Sequence, residues 1–276
     1  MKLPIVLDTC TILNLLRIDE DDEFLYKKLI KLNINICQKV FEEANKNINT
    51  KHFSNSQKKY ISSHIPYFGT YILTCDERFE SEYKAKIKQF CNYKKENGEF
   101  YSALISLYLC RDKNCRLYFY TDDHPAKNIF DSYFSYQQIG VIGDTIDLLV
   151  FLCWSNSDFK QHMLEKYLQN LLSEFAIPFK NFKDQFLKMK KEWIARDVKN
   201  KRLYEELNKI EEGIEKLDFE TIGIGIDYFK KDSKSYKEIN AFLDSYSDIN
   251  LSGYMALKIK KTIISLRKHS IYKMSC

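Results

Sequence analysis

Acidic side chains stand at a few places in this chain where a carboxylate has chemistry to do. Asp8 ends the apolar run "PIVLD", and Glu42 and Glu43 lie in "KVFEEA", just after the run "NINIC". Glu99 opens "GEFYSALISLYL" on the face shared with Ala103 and Leu107, and Asp122 and Asp123 close "LYFYTDD". In an open parallel sheet, sites form outside the carboxyl ends of the strands, so these acids can converge. Two unit charges about 4 Å apart repel by roughly 4 kcal/mol at an effective dielectric near 20. Such a group persists only when protons or cations neutralise it. All-oxygen donors suit Mg²⁺ or Mn²⁺. A divalent ion held this way lowers the pKa of its water, aims it at a phosphodiester phosphorus and offsets charge on the leaving oxygen. No side-chain nucleophile is required. An acidic pocket repels a polyanion, however, so nearby Lys and Arg must draw such a substrate in.

The elements that position the acids follow from apolar periodicity. Ile5–Leu7 reads as a buried strand with a helix starting near Thr11, and "DEFLYKKLIKL" as an amphipathic helix. "NINIC" reads as a second strand, and "YILTC" as a further short one after a polar region containing Pro66 and Gly69. The segment from Ser81 to Asp112 is helical in two parts, broken at Gly98. "CRLYFYTDD" is a strand, and "QQIGVIGDTIDLLVFLCW" a last strand turning into a helix. Strands alternating with helices predict an α/β unit on a mostly parallel sheet.

Beyond Trp154 the pattern becomes helical, which predicts domains over residues 1–154 and 155–276. Pro178 interrupts the first helical stretch, and a long helical pattern follows in which Leu203, Leu207, Ile210, Ile214 and Leu217 step by four and three. "TIGIGIDYF" alternates like a short strand, with two more helices after it. Charge is uneven along the chain. Residues 1–154 carry equal numbers of acids and bases, so the net charge of +5 lies wholly in the C-terminal part. There "MALKIKKTIISLRKHSIYK" carries Lys258, Lys260, Lys261, Arg267, Lys268 and Lys273 without an acid, with Tyr254 and Tyr272 at its edges. That suits a phosphate-contacting helix. It equally suits an amphipathic helix burying Ile259, Ile263, Ile264 and Leu266.

The eight cysteines form no CxxC pair, and no histidine pair has ligand spacing. The first residues lack a basic-then-apolar leader and no apolar run reaches membrane length, which predicts a cytoplasmic protein with no membrane partner.

Taken in order, "IVLDTCTIL", "VFEEA", "GEFYSALISLYL" and "LYFYTDDHPAK" resemble the four acidic motifs of PIN-domain nucleases. "IGVIGDTIDLLVFL" is similar to the strand and helix that close the branch with a GE motif and a paired-Asp motif. The match covers roughly residues 3–152. It implies a PIN-like three-layer α/β/α sandwich followed by a mainly α-helical C-terminal domain for RNA guidance, assembly or regulation. It also implies a Mg²⁺- or Mn²⁺-dependent endoribonuclease acting on single-stranded or structured RNA through activated water and leaving 5′-phosphate ends. Under the resemblance Asp8, Glu43, Glu99 and Asp123 are the metal ligands, Asp122 assists, and Thr121 is the hydroxyl before the acids. Thr9 matches the small hydroxyl residue after the first acid, and Glu43 fits the second acid better than Glu42. Cys10 and Ala44 depart from the pattern without removing a carboxylate. Toxins and host-defence nucleases share the resemblance, and a homo-oligomer or a regulatory protein partner is compatible with it.

Each acid has a plainer reading. Asp8 could cap the helix after it, Glu43 could be a solvated helix residue, and Glu99 could serve the helix dipole. Asp123 could cap a helix opening at Pro125, and His124 could be an exposed turn residue. Two rival functions also remain. One is a non-catalytic PIN-fold scaffold that binds RNA or protein. The other is a haloacid-dehalogenase-like phosphatase, since "IVLDTCTIL" and "VIGDTIDLL" resemble its motifs. There Asp8 would be the nucleophile with Asp144 and Asp147 on Mg²⁺, but Cys10 occupies the place of the general acid.

Overall fold

The computed structural model describes residues 3–19, 23–50, 53–197, 199–232, 234–246 and 249–269. His52, Tyr272 and Lys273 lie outside them. The chain forms two compact units, one running to Tyr167 and one spanning Leu168–His269.

The first unit is α/β. Strand β1 (Pro4–Leu7) leads into α1 (Thr9–Ile18), then α2 (Phe24–Leu29) and β2 (Asn33–Asn35). Helices α3 (Gln38–Thr50), α4 (Asn55–Phe68), α5 (Glu77–Cys91) and α6 (Gly98–Lys113) precede β3 (Leu117–Tyr120). Then come α7 (His124–Tyr136), β4 (Gly140–Gly143) and α8 (Thr145–Ser155). The strands form one parallel sheet in the order β2-β1-β3-β4. All of β1 is buried, as an inner parallel strand requires. Side-chain alternation along β3 sends its neighbours to opposite faces. Tyr118 packs on Phe151 of α8, 5.6 Å between ring centres, while Phe119 stacks on Phe134 of α7 at 5.8 Å. Helices therefore cover both faces.

Two expectations change here. The polar stretch before Gly69 is helix α4. Ser54 and Gln57 close a capping box at its start, and Ile61, Ile65 and Phe68 bury one stripe of it. Pro66 sits in its last turn, where little helix is left to disturb. "YILTC" contributes a single parallel bridge, Ile36 to Ile72, rather than a strand. The sequence changes character at Trp154, and the first unit extends past it. Phe159 and Tyr167 meet edge to face and both pack on Phe24, which ties residues 155–167 to this core.

The second unit is helical. Helix α9 (Gln161–Arg196) runs on through Pro178 instead of stopping there. A mid-helix proline costs about 3 kcal/mol. Phe175, Phe182 and Phe186, buried on both sides of it, each return roughly 2 kcal/mol. Helices α10 (Lys201–Lys216), α11 (Phe219–Lys231), α12 (Lys237–Asp244) and α13 (Ile249–Lys268) follow. "TIGIGIDYF" is thus helix, not strand. Asp218 caps α11 by accepting from the Thr221 amide, and Ile222, Gly225 and Phe229 face inward at helical spacing. Glycine lets α11 lie directly on α10, because a Cβ at Gly225 would come within 2.5 Å of Ile210 Cγ1. On α10 Leu203, Leu207, Ile210 and Ile214 are buried, while Leu217 is 40% exposed at its end. Ile259, Ile263 and Leu266 of α13 are buried as expected, but Ile264 is 54% exposed on the far side of the helix. No helix among the described residues is long and apolar enough to cross a membrane.

The close α10–α11 approach is open to test. Gly225→Leu should destabilise the second unit by about 1–3 kcal/mol in urea unfolding, whereas Ile224→Ala, at a 58% exposed position, should stay within about 0.5 kcal/mol. Equal effects would contradict the helical assignment.

Candidate functional site

The strand order reverses between β1 and β3, since the chain leaves β1 toward β2 on one side and returns with β3 on the other. A crevice opens at the carboxyl ends of such a pair. Asp8 directly follows β1, and Thr121, Asp122 and Asp123 directly follow β3. The backbone knits these ends together: the Asp8 amide donates to Tyr120 O at 3.0 Å, and the Thr121 amide to Gly143 O at 2.9 Å.

Asp8 is fully buried. Its Oδ2 accepts from the Thr121 hydroxyl at 3.0 Å, and the same hydroxyl accepts from the Asp123 amide at 3.1 Å. Its Oδ1 has no hydrogen-bond partner. Asp8 stands at the start of α1, yet its side chain makes no capping hydrogen bond, so the plain capping role is not the one it fills. Burial, followed by the charge of Glu99 and then of Glu43, pushes its carboxyl well above the ordinary range, partly offset by hydrogen bonds such as that from Thr121. Glu99, in the first turn of α6, is 8% exposed, and its Oε2 is also without a partner. Burial raises its pKa first, and the carboxylates of Asp123 and Glu43 add to that.

Glu43 reaches the same place from α3. Its Oε1 accepts from the Gly98 amide at 3.1 Å, and its Oε2 from the Thr9 hydroxyl at 3.2 Å. The helix N-terminus of α6 thus offsets part of the gathered negative charge. Glu42 points outward to Gln38 and Lys39, so of the two neighbours it is Glu43 that enters the site. Gly98 is the spacer. A Cβ there would lie 2.6 Å from Glu43 Oε2 and 3.3 Å from the unpartnered Asp8 Oδ1, so any larger residue would fill the space between them. Asp123 caps α7 by accepting from the Ala126 amide at 2.8 Å and still lies close enough to raise Glu99.

Asp122 is not brought into this group. Its buried carboxylate accepts from the Thr145 amide at 2.8 Å, from the Thr145 hydroxyl and from Asn14 Nδ2 at 2.7 Å. It fastens α1 and the start of α8 to the end of β3. His124 has its pKa lowered by burial and by the charge of Lys127. Asp144 and Asp147 form the capping box of α8, and both lie within 4 Å of the Lys127 ammonium, at 3.6 and 3.8 Å. The α13 cations lie in the second unit, with Lys260, Lys261, Arg267 and Lys268 exposed and Lys258 half-buried.

Of two further neighbours of the acids, Tyr93 carries no signal in motif spacing and Asn97 does. Tyr93 donates to Asn97 Oδ1 at 3.1 Å, and burial followed by the charges of Glu99, Asp123 and Asp8 pushes its phenol up to about 12. Asn97 caps α6, a role that "NGE" does announce. A separate cavity of about 440 Å³, lined by Cys37, Glu42, Leu73, Tyr101 and Leu104 among others, includes none of the four site acids.

Among the described residues, no three His, Cys, Asp or Glu side chains close on one point as direct metal ligands. The donor set still fits a hard cation that keeps much of its water, as Mg²⁺ does. Two buried carboxylate oxygens, Asp8 Oδ1 and Glu99 Oε2, are unsatisfied, and the space beside Gly98 is kept open.

These displacements have a definite sign. Burial and neighbouring carboxylates raise the carboxyls of Asp8 and Glu99 in the folded chain above the range they have in the unfolded chain. Their favourable contribution is complete below the ordinary carboxylate range and is lost as pH rises through the raised folded values. In chelator, stability should therefore fall from about pH 4 toward neutrality. Asp8→Asn should make that fall shallower and raise stability at pH 7 by an amount on the order of 1–3 kcal/mol in urea unfolding. Asp122→Ala should instead cost on the order of 3 kcal/mol by orphaning the Thr145 amide and Asn14. A less stable Asp8→Asn would contradict the reading. Compared with models of known families, with curated proteins and with solved structures, the chain and its fold match none. What the site does is therefore carried by its own geometry and chemistry.

Proposed function

We propose that the first unit is a PIN-like nuclease domain, an α/β/α sandwich that hydrolyses RNA phosphodiester bonds with Mg²⁺ or Mn²⁺ in a cytoplasmic setting. The observation that carries this reading is the pair of buried, unpartnered oxygens, Asp8 Oδ1 and Glu99 Oε2, with Glu43 across Gly98 from the first. A parallel sheet with helices on both faces and the ordered acidic motifs support it.

Asp8 and Glu99 would hold the cation, with Glu43 and Asp123 at its edge. When bound, such an ion supplies Lewis acidity and a water of lowered pKa. The chain's own part is preorganisation. Thr121 fixes the plane of the Asp8 carboxylate and the path into α7 with one hydroxyl. The Gly98 amide and the Thr9 hydroxyl hold Glu43 toward the space beside Gly98. With their carboxyls raised, Asp8 and Glu99 would have to be ionised to hold the ion, so its affinity would rise with pH. The second unit, with the exposed cations of α13, would guide RNA or mediate assembly.

The phosphatase reading requires Asp144 and Asp147 beside Asp8, whereas their carboxylates serve the α8 cap and face Lys127. The scaffold reading leaves the unsatisfied acids without a purpose.

The test is cleavage of labelled single-stranded RNA in Mn²⁺. The wild type should cut and leave 5′-phosphate ends. Asp8→Asn and Glu99→Gln should each lose on the order of 100-fold or more, while Glu42→Gln stays near wild type. Metal-independent RNA binding without cutting would favour the scaffold, and phosphate release from small esters the phosphatase.

A further inference from the structure

An acidic crevice cannot by itself attract a polyanion. In the same unit the connection between α5 and α6, residues 92–97, carries Lys94 and Lys95 and leads directly into Gly98 and Glu99. Asn92 turns the chain out of α5 in the left-handed region, at φ 49°. Tyr93 then anchors the loop. Its amide donates to Lys88 O at 3.2 Å, its hydroxyl donates to Asn97 Oδ1, and its ring packs on Phe130 at 5.0 Å. Asn97, which Tyr93 holds, caps α6 two residues before Glu99, so this anchor leads straight into the acidic group.

The loop's own acid is used up. Glu96 is bridged by Lys88 and by Lys84 at 2.9 Å, and it accepts from the Tyr101 hydroxyl at 3.1 Å. Lys94 and Lys95 are both exposed, and among the described residues neither forms an ion pair. A short loop with its carboxylate neutralised from α5 thus carries two exposed ammonium groups five and four residues before Glu99 in the chain. That is the charge arrangement an approaching phosphate chain requires, cations at the rim and acids within.

We propose that residues 92–97 form a phosphate clamp, in which Lys94 and Lys95 contact backbone phosphates of single-stranded RNA on either side of the bond presented to Asp8 and Glu99. The clamp rests on the nuclease reading for its placement, but its binding can be measured without cleavage.

The experiment is fluorescence anisotropy of a labelled single-stranded oligoribonucleotide, in chelator, across a series of salt concentrations. Each phosphate contact to a single strand contributes about 0.7 to the slope of log K against log salt, so Lys94→Ala/Lys95→Ala should lower that slope by about 1.4. Affinity at low salt should fall at least several-fold, and Lys94→Arg/Lys95→Arg should keep the wild-type slope. Unchanged affinity and slope in the alanine variant overturns the clamp, whether or not the wild type cuts RNA in Mn²⁺. A reduced slope restored by arginine supports it, even if cutting is never seen and the nuclease reading falls.

Discussion

The structure of the first unit is organised around negative charge that the fold buries and does not satisfy. Asp8 and Glu99 each keep a carboxylate oxygen without a donor in surroundings that exclude water. Leaving such a group unpaired costs about 1–3 kcal/mol, more if it is charged. A protein stable by roughly 5–15 kcal/mol retains that expense only where the strain has a use. Burial and mutual repulsion push both carboxyls above their ordinary range, which is the signature of charge the fold does not itself satisfy.

Everything nearby serves to keep that arrangement in place. The parallel sheet brings the ends of β1 and β3 side by side, and the Thr121 hydroxyl converts that adjacency into an oriented Asp8. Asp122 looks like its neighbour in sequence but does the opposite job. Its oxygens are fully employed in tying α1 and α8 to β3, which makes the strand end rigid. Gly98 does by omission what no side chain could, leaving room between Glu43 and Asp8 where α6 begins.

How much of this the sequence carried depended on the kind of signal. Strand ends were legible because a buried parallel strand is a short apolar run, and a polar residue after it must lie at the sheet edge. That put Asp8 and Asp123 just past β1 and β3, where they stand, while Glu43, preferred over Glu42 on the motif, faces the acids on α3 and Glu42 faces away. The difference between Asp122 and Asp123 was not legible, because it depends on Asn14 and Thr145, distant in the chain. The strand pattern of "TIGIGIDYF" misled for a related reason. Its residues alternate like a strand, whereas Gly225 is where a helix presses on Ile210 of α10. Pro178 misled because a single lost backbone bond is outweighed by phenylalanines buried on either side of it. Lys94 and Lys95 became informative only once Glu96 was seen to be paired elsewhere.

The most direct test of the central claim is anomalous diffraction from crystals of the protein soaked in Mn²⁺. The account predicts a manganese peak between Asp8 and Glu99, within direct or single-water reach of Asp8 Oδ1 and Glu99 Oε2 and bordered by Glu43 beside Gly98. A soaked crystal with no peak there, or with manganese held only by surface carboxylates elsewhere, would contradict it.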